Sequence, residues 1–120
     1  FHEEISNSNL IKIYKKCFAG LVVLNQKHRT HNIPGKFISY IHSGLPVFAI
    51  VNRNNDLIKI INKNKIGYAS SNKNINYLKS KLNNFIIEVD NDKNISKRSI
   101  DIANRVFSTS IICNQILNKF

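Results

Sequence analysis

Two continuous apolar runs, separated by an amphipathic segment, most constrain the fold of this chain. Residues 20–24 and 46–51 carry no polar side chain, and both runs are shorter than an ordinary helix. Uninterrupted runs of this length are typical of strands that are buried on both faces of a parallel sheet. Between them, Phe37, Ile38 and Ile41 recur at helical spacing. This alternation predicts an α/β fold, in which a parallel sheet with right-handed crossovers has helices on both faces.

The rest of the chain continues the alternation and then becomes helical. We predict parallel strands at residues 21–24, 47–51 and 66–69, and helices at residues 8–17 (with Ser8 as N-cap), from Pro34 to a stop at Gly44, and after the turn at residues 52–55. Helices at residues 74–90, 95–107 and 109–120 form a C-terminal tail. Residues 1–120 are therefore interpreted as a single, incomplete domain, with a β/α part at 1–70 and a helical tail at 71–120. Since the opening strands of a doubly wound sheet have no counterpart here, we expect a piece of a longer chain.

The net charge of +11 raises the question of an anionic partner. The chain has 14 Lys but only 4 Arg, beside 19 Asn and 20 Ile, a bias that an AT-rich genome produces by itself. Because Arg is the better reader of phosphates and base edges, and because the basic residues are dispersed, we do not expect nucleic acid as a partner. The alternative to an enzyme remains a basic module that binds nucleic acid or an anionic membrane surface. No apolar run approaches the roughly 20 residues that span a bilayer as a helix.

Candidate metal ligands are sparse. Cys17 and Cys113 lie far apart in the sequence, and we expect both to be small buried side chains in a reducing cytosol. His28 and His31 are three residues apart and could share a metal ion, but no third ligand accompanies them. No metal and no other cofactor is therefore expected.

Carboxylates are also few. Between Glu4 and Glu88 the sole acidic residue is Asp56. Hydrolysis by two carboxylates and Mg²⁺-dependent phosphoryl transfer both need more carboxylate oxygens than this segment offers. A reaction in which cations and helix N–H groups stabilise a leaving diphosphate fits the composition better.

The polar segment after the first predicted strand is the candidate binding site. Residues 25–32 concentrate hydrogen-bonding side chains just before the helix that starts at Pro34. Free N–H groups at a helix start favour an anion, Gly35 would let the backbone approach closely, and Lys36 adds a positive charge. These features suit a diphosphate, although an ordinary solvated loop before a Pro-initiated helix has the same pattern.

Three motifs in this region resemble a known family. Residues 30–40 contain Asn-x-Pro-x-Lys, residues 40–47 follow as Tyr-x-x-x-Gly-x-Pro-Val, and residues 55–57 read Asn-Asp-Leu. Together they are similar to the C-terminal domain of GT-B glycosyltransferases of family four, and most of all to the fucosamine (FucNAc) transferases of O-antigen and capsule synthesis. The similarity covers residues 1–70 well and the helical tail loosely.

The resemblance implies a partial Rossmann-like sheet that binds a nucleoside-diphosphate sugar, taken to be a UDP-sugar, in a cytoplasmic enzyme of lipopolysaccharide or other surface polysaccharide synthesis. It implies retention of anomeric configuration without a metal. An N-terminal domain outside these residues would hold a lipid-linked or saccharide acceptor at the inner face of the membrane. The donor site would contain His31, Asn32, Gly35, Lys36 and Ser39, whereas no catalytic residue is assigned. The isolated fragment is expected to be inactive.

One departure from the family pattern concerns two glutamates. The family carries Glu-x7-Glu before the glycine of the second motif, and these positions hold His31 and Ser39 here. The ribose contact that the second glutamate makes in the family could therefore be only weaker in this chain.

Overall fold

The computed structural model describes residues 4–25, 27 and 32–119. Its elements are α1 (Asn7–Tyr14), β1 (Gly20–Val23), α2 (Gly35–His42), β2 (Val47–Ile50), α3 (Asp56–Lys63), β3 (Gly67–Ser70), α4 (Ile75–Asn91), α5 (Ile95–Val106) and α6 (Thr109–Leu117). The predicted order of β/α units followed by a helical tail is confirmed. The predicted ends are off by three residues at most, with one detail wrong: the N-cap of α1 is Ser6, and Ser8 lies inside the helix.

The three strands form one parallel sheet in the order β1-β2-β3. Gly20 pairs with Val47, and Val47 in turn pairs with Gly67, so the strands start level with one another. The sheet advances in one direction from β1 to β3. Because crossovers between parallel strands are right-handed, α2 and α3 lie on the same face of the sheet.

This first face carries the main core. Val22, Val47, Ala49 and Ala69 point toward α2, α3 and α5 and are buried. The helices contribute Phe37, Ile41, Leu57, Ile61, Ile102 and Ala103 to the same cluster. Helix α5 therefore belongs to the core, and the ring of Phe107 just after it meets Phe37 edge-on at 6.0 Å between ring centroids.

The second face is covered on one side only. Phe48 of the central strand stacks on Tyr68 and contacts Phe85 of α4, each at 5.4 Å between centroids. On β1, by contrast, Leu21 and Val23 are 56% and 55% exposed. The prediction that residues 20–24 are buried on both faces is therefore wrong, because Leu21 and Val23 are exposed on the second face.

Gly44 shows why α2 ends where the sequence predicts. Its φ angle is +74°, the left-handed conformation that commonly closes a helix and that glycine adopts without strain. A Cβ atom there would also lie 2.4 Å from the Ser96 hydroxyl oxygen of α5. Gly44 thus serves both the turn and the packing of α5 against the end of α2.

Both cysteines are exposed and free, so the expectation that they are buried is wrong. Cys17 follows α1, where its thiol donates to the carbonyl of Ile13 at 3.3 Å. Cys113 lies on α6, a helix in which no residue is buried. Among the described residues, no helix is long and apolar enough to cross a membrane.

Candidate functional site

The carboxyl ends of the three strands meet at one edge of the sheet, which we call the carboxyl edge. Helix α2 begins here after β1, and α3 begins here after β2. Two helix N-termini therefore lie on the same face and at the same edge. Ligands of open α/β sheets bind at this location, because the loops and the free N–H groups of helix starts converge there.

The start of α2 has free hydrogen-bond donors. Pro34 occupies the N-cap position, and no side chain caps the helix. Within the described part of the chain, no acceptor is bonded to the N–H of Gly35 or Lys36, whereas the N–H of Phe37 donates to the Pro34 carbonyl at 3.0 Å. Gly35 and Lys36 are exposed. This arrangement presents two N–H groups and one ammonium group to solvent, as an anion site requires.

The start of α3 is different, because its polar groups are buried. Asn55 is the N-cap, and its side-chain oxygen accepts from the N–H of Leu57 at 2.9 Å. Among the described residues, its side-chain nitrogen has no partner, and neither amide atom of Asn52 has one. Asn52 and Asn55 are only 5% and 3% exposed. Each buried polar group without a partner costs roughly 1–3 kcal/mol, so this turn holds unused hydrogen-bonding capacity at the end of the central strand.

The structure places the predicted site residues in two groups. Asn32, Gly35 and Lys36 lie together at the carboxyl edge and are exposed. An added Cβ atom at Gly35 would meet nothing within 4 Å, so the surface around it is open. Ser39 lies one turn further along α2, where its hydroxyl donates to the Gly35 carbonyl at 3.3 Å. It lines a groove between α1 and α2. His31 lies outside the described residues.

Asn52 and Asn55 are not among the predicted site residues. Residues 52–55 are predicted only as a turn before a helix, and Asn is a common turn residue. A positional signal was nevertheless present, because Asn52 immediately follows the second buried strand. Any polar residue at that position lies at the carboxyl edge of a parallel sheet.

Charge at the carboxyl edge is positive or neutral, apart from one carboxylate. Lys36 and Arg53 are exposed there, and Asp56 in the first turn of α3 is the acidic residue. In the part of the chain that the structure describes, no three His, Cys, Asp or Glu side chains lie close enough to hold a metal ion. The described residues at this edge are therefore suited to an anion with hydroxyl or amide groups.

A wide cavity lies at the opposite end of the molecule. It lies between the turn before β3 and the junction of α4 with α5, and it is lined by Asn62, Lys65, Asp92 and Arg98 among others. The Arg98 guanidinium donates to both Asp92 carboxylate oxygens and to the Lys65 carbonyl, the latter at 2.7 Å. Its strongest cation is thus already engaged, and we assign this cavity a structural role.

Comparisons of the chain with protein-family models, with curated proteins and with solved structures found no match.

Proposed function

We propose that this chain is the donor-binding part of a glycosyltransferase of the GT-B type, family four, and that the diphosphate of a nucleoside-diphosphate sugar binds at the carboxyl edge. The observation that supports this most is the buried Asn52 amide, whose donor and acceptor have no partner within the described part of the chain and lie beside the start of α3. The motif resemblance at residues 30–57 supports the same assignment.

The donor would contact the starts of both α2 and α3, with a different kind of contact at each. The N–H groups of Gly35 and Lys36 and the Lys36 ammonium suit the diphosphate, since each charge-assisted hydrogen bond contributes about 1.5–3 kcal/mol. The Asn52 amide suits a hydroxyl of the ribose or of the transferred sugar, because a hydroxyl both donates and accepts. The diphosphate is the leaving group of sugar transfer, so stabilising its charge would lower the barrier.

The isolated chain would bind donor without transferring sugar. In the whole enzyme, a further domain would hold a lipid-linked or saccharide acceptor on the cytoplasmic side of the membrane. The product would belong to a bacterial surface polysaccharide.

Binding to the isolated chain tests this proposal. The ¹⁵N-labelled protein is titrated with UDP, GDP, dTDP and inorganic pyrophosphate, and amide shifts are followed. We expect saturable shifts at residues 35–37 and 52–57, with a nucleoside diphosphate binding more tightly than pyrophosphate.

The test variant is Lys36→Ala, and its matched control is Lys63→Ala. Both remove one positive charge, the first from the start of α2 and the second from the end of α3. Lys63 lies in the last turn of α3, away from the carboxyl edge. Lys36→Ala should weaken binding by roughly ten- to a hundredfold, and Lys63→Ala by little. Equal weakening by both variants, together with a steep fall in affinity with salt, would assign the binding to net charge and contradict the proposal.

A further inference from the structure

The turn that follows β2 presents an arginine side chain at the carboxyl edge. The N–H of Asn55 donates to the Asn52 carbonyl at 3.1 Å, which closes a tight turn over residues 52–55. Arg53 and Asn54 are its two central residues and are exposed, whereas Asn52 and Asn55 are buried. The turn is therefore fixed at both ends, and the exposed Arg53 lies between them.

Asn54 shows how the chain forms this turn. Its φ angle is +67°, in the left-handed region that Asn tolerates at the third position of a tight turn. The side-chain oxygen of Asn55 then caps α3 by accepting from the N–H of Leu57 at 2.9 Å. These two local features hold the backbone of Arg53 at the end of the central strand, whatever charge its side chain carries.

The Arg53 guanidinium is free within the described part of the chain, where it has no hydrogen-bond or ion-pair partner. The Arg98 guanidinium, by contrast, is bonded to Asp92 and to the Lys65 carbonyl. Asp56 is exposed in the first turn of α3, and no ion pair joins it to Arg53 among the described residues. Arg53 is therefore available to an anion from outside the described chain.

The buried Asn52 side chain is a second, independent sign of a ligand at this turn. Its donor and its acceptor both lack a partner among the described residues, although the side chain is only 5% exposed. Buried amides are nearly always hydrogen-bonded in folded proteins, so a buried amide without a partner requires an explanation. A polar ligand at the turn would supply the partner, and Arg53 would supply the charge that holds it.

Lys36 and Arg53 come from neighbouring positions of the carboxyl edge. Lys36 begins α2 after β1, and Arg53 follows β2, which pairs with β1 along its whole length. Neighbouring strands lie about 4.8 Å apart, and helices that pack side by side lie about 8–10 Å apart. This separation is within the combined length of a lysine and an arginine side chain, so both cations can contact one diphosphate.

We propose that Arg53 is the second cation of the donor site. It binds one phosphate of the diphosphate, while Lys36 and the free N–H groups of α2 bind the other; this inference rests on the proposed function. A planar guanidinium donates to two oxygens of one phosphate at once, which an ammonium group does not. The site then selects a diphosphate over a monophosphate, because a monophosphate leaves one of the two cations without a partner.

The affinities of the chain for UDP and for UMP measure this selection. Titrations followed by amide shifts are suitable, since they also measure weak binding. Arg53→Ala should weaken UDP binding about tenfold and UMP binding by less than about threefold, because the single phosphate of UMP binds at the start of α2. The ratio of the UDP affinity to the UMP affinity should therefore fall. Lys63→Ala removes one charge from the far end of α3 and should leave this ratio unchanged.

Arg53→Lys separates the shape of the group from its charge. It keeps the positive charge and removes the planar fork, so the affinity ratio should fall by about threefold, less than in Arg53→Ala. This variant also decides the question if Arg53→Ala does not fold. Because Arg53 is exposed and bonded to no described residue, neither substitution should change the free energy of unfolding in urea.

An unchanged affinity ratio in Arg53→Ala, or an equal fall of the ratio in Lys63→Ala, would overturn the inference. UDP binding that depends on Lys36 but not on Arg53 would overturn this inference alone and leave the proposed function in place. Absence of UDP binding to the parent chain would contradict both, so the two failures can be told apart.

Discussion

The two edge strands of the sheet differ in how completely the rest of the chain covers them. On the β3 side, Asn62 closes the strand edge and α4 covers the second face, where Tyr68 lies between Phe48 and Lys81. Burial and the hydrogen bond to Tyr77 raise the pKa of Tyr68, a further sign of a packed environment. On the β1 side, the edge is unpaired and the apolar side chains of the second face are exposed.

This difference shows that the second face contributes to stability mainly on its β3 side. There, the closed side contains contacts whose loss should destabilise the chain. The open side contains groups that the described chain does not use, and their removal should cost little stability. Measurements of the free energy of unfolding on matched variants can therefore test this difference.

The largest difference in the free energy of unfolding should appear when one apolar side chain is truncated on each side. Phe85 is 3% exposed and contacts Phe48, so Phe85→Ala should lower the free energy of unfolding by about 3–5 kcal/mol in urea denaturation. Val23→Ala should change it by less than about 0.5 kcal/mol. Ile87→Ala, on the exposed side of the same helix, controls for helix propensity. A similar loss for Phe85→Ala and Val23→Ala would show that β1 is packed in solution and that the comparison is wrong.

The next largest loss of stability should come from opening the outer edge of β3, which Asn62 closes. Asn62→Ala removes both hydrogen bonds to Ala69 and should cost about 1–2 kcal/mol. Hydrogen exchange should accelerate at the Ala69 amide and remain unchanged at Leu21, whose N–H has no partner to lose. Asn83→Ala makes the same substitution at an exposed position of α4 without a hydrogen bond. Unchanged exchange at Ala69 would mean that Asn62 does not close the edge.

The sequence was sufficient to predict the strands and most helices, but it did not predict that the second face of β1 is exposed. Apolar runs predict which segments become strands, and helical spacing predicted α2 to α5 well, because both depend on local periodicity. A run such as residues 20–24 shows that a strand can be buried, but not that anything covers it. Burial of Leu21 and Val23 depends on polypeptide that contacts β1, which no local pattern reports.

Prediction of the site was limited in a similar way. Position relative to the strands was sufficient to place Asn32, Gly35 and Lys36 at one edge. The lack of partners, among the described residues, for the Asn52 amide and the Asn55 side-chain nitrogen could not be predicted. Residue type does not show whether a turn side chain finds a hydrogen-bond partner after folding. Cys17 and Cys113 illustrate the same limit, because their exposure is set by how lightly α1 and α6 pack.

A smaller change, in this case a gain in stability, is expected from a substitution at the carboxyl edge. Asn52→Leu replaces an unpartnered buried amide with an apolar group of similar shape, and should raise the free energy of unfolding by about 1 kcal/mol. The same variant should lose binding of the nucleoside diphosphate, which separates a binding role from a structural one. Destabilisation instead would show that the Asn52 amide is bonded to ordered water in solution, and that it supports the fold.

The smallest effect on stability should come from the ion pair between Arg98 and Asp92, at the junction of α4 with α5. The Arg98 guanidinium beside Asp92 holds the pKa of that carboxyl below its usual range. A carboxyl whose pKa is lowered on folding stabilises the protein above its unfolded pKa, near 3.9, and this contribution is lost as the pH falls through the folded value.

Because both side chains are about one third exposed, solvent screens the pair and the effect on thermal stability at neutral pH should be slight. Asp92→Asn should therefore lower the melting temperature a little at pH 7, and the difference from the parent chain should shrink as the pH falls below 4. Asp101→Asn, at an exposed carboxylate of α5 without an ion pair, is the matched control and should show no such convergence. A difference that stays constant down to pH 2 would mean that the Asp92 contribution comes from its neutral hydrogen bonds to the turn before α5, and not from the charge of Arg98.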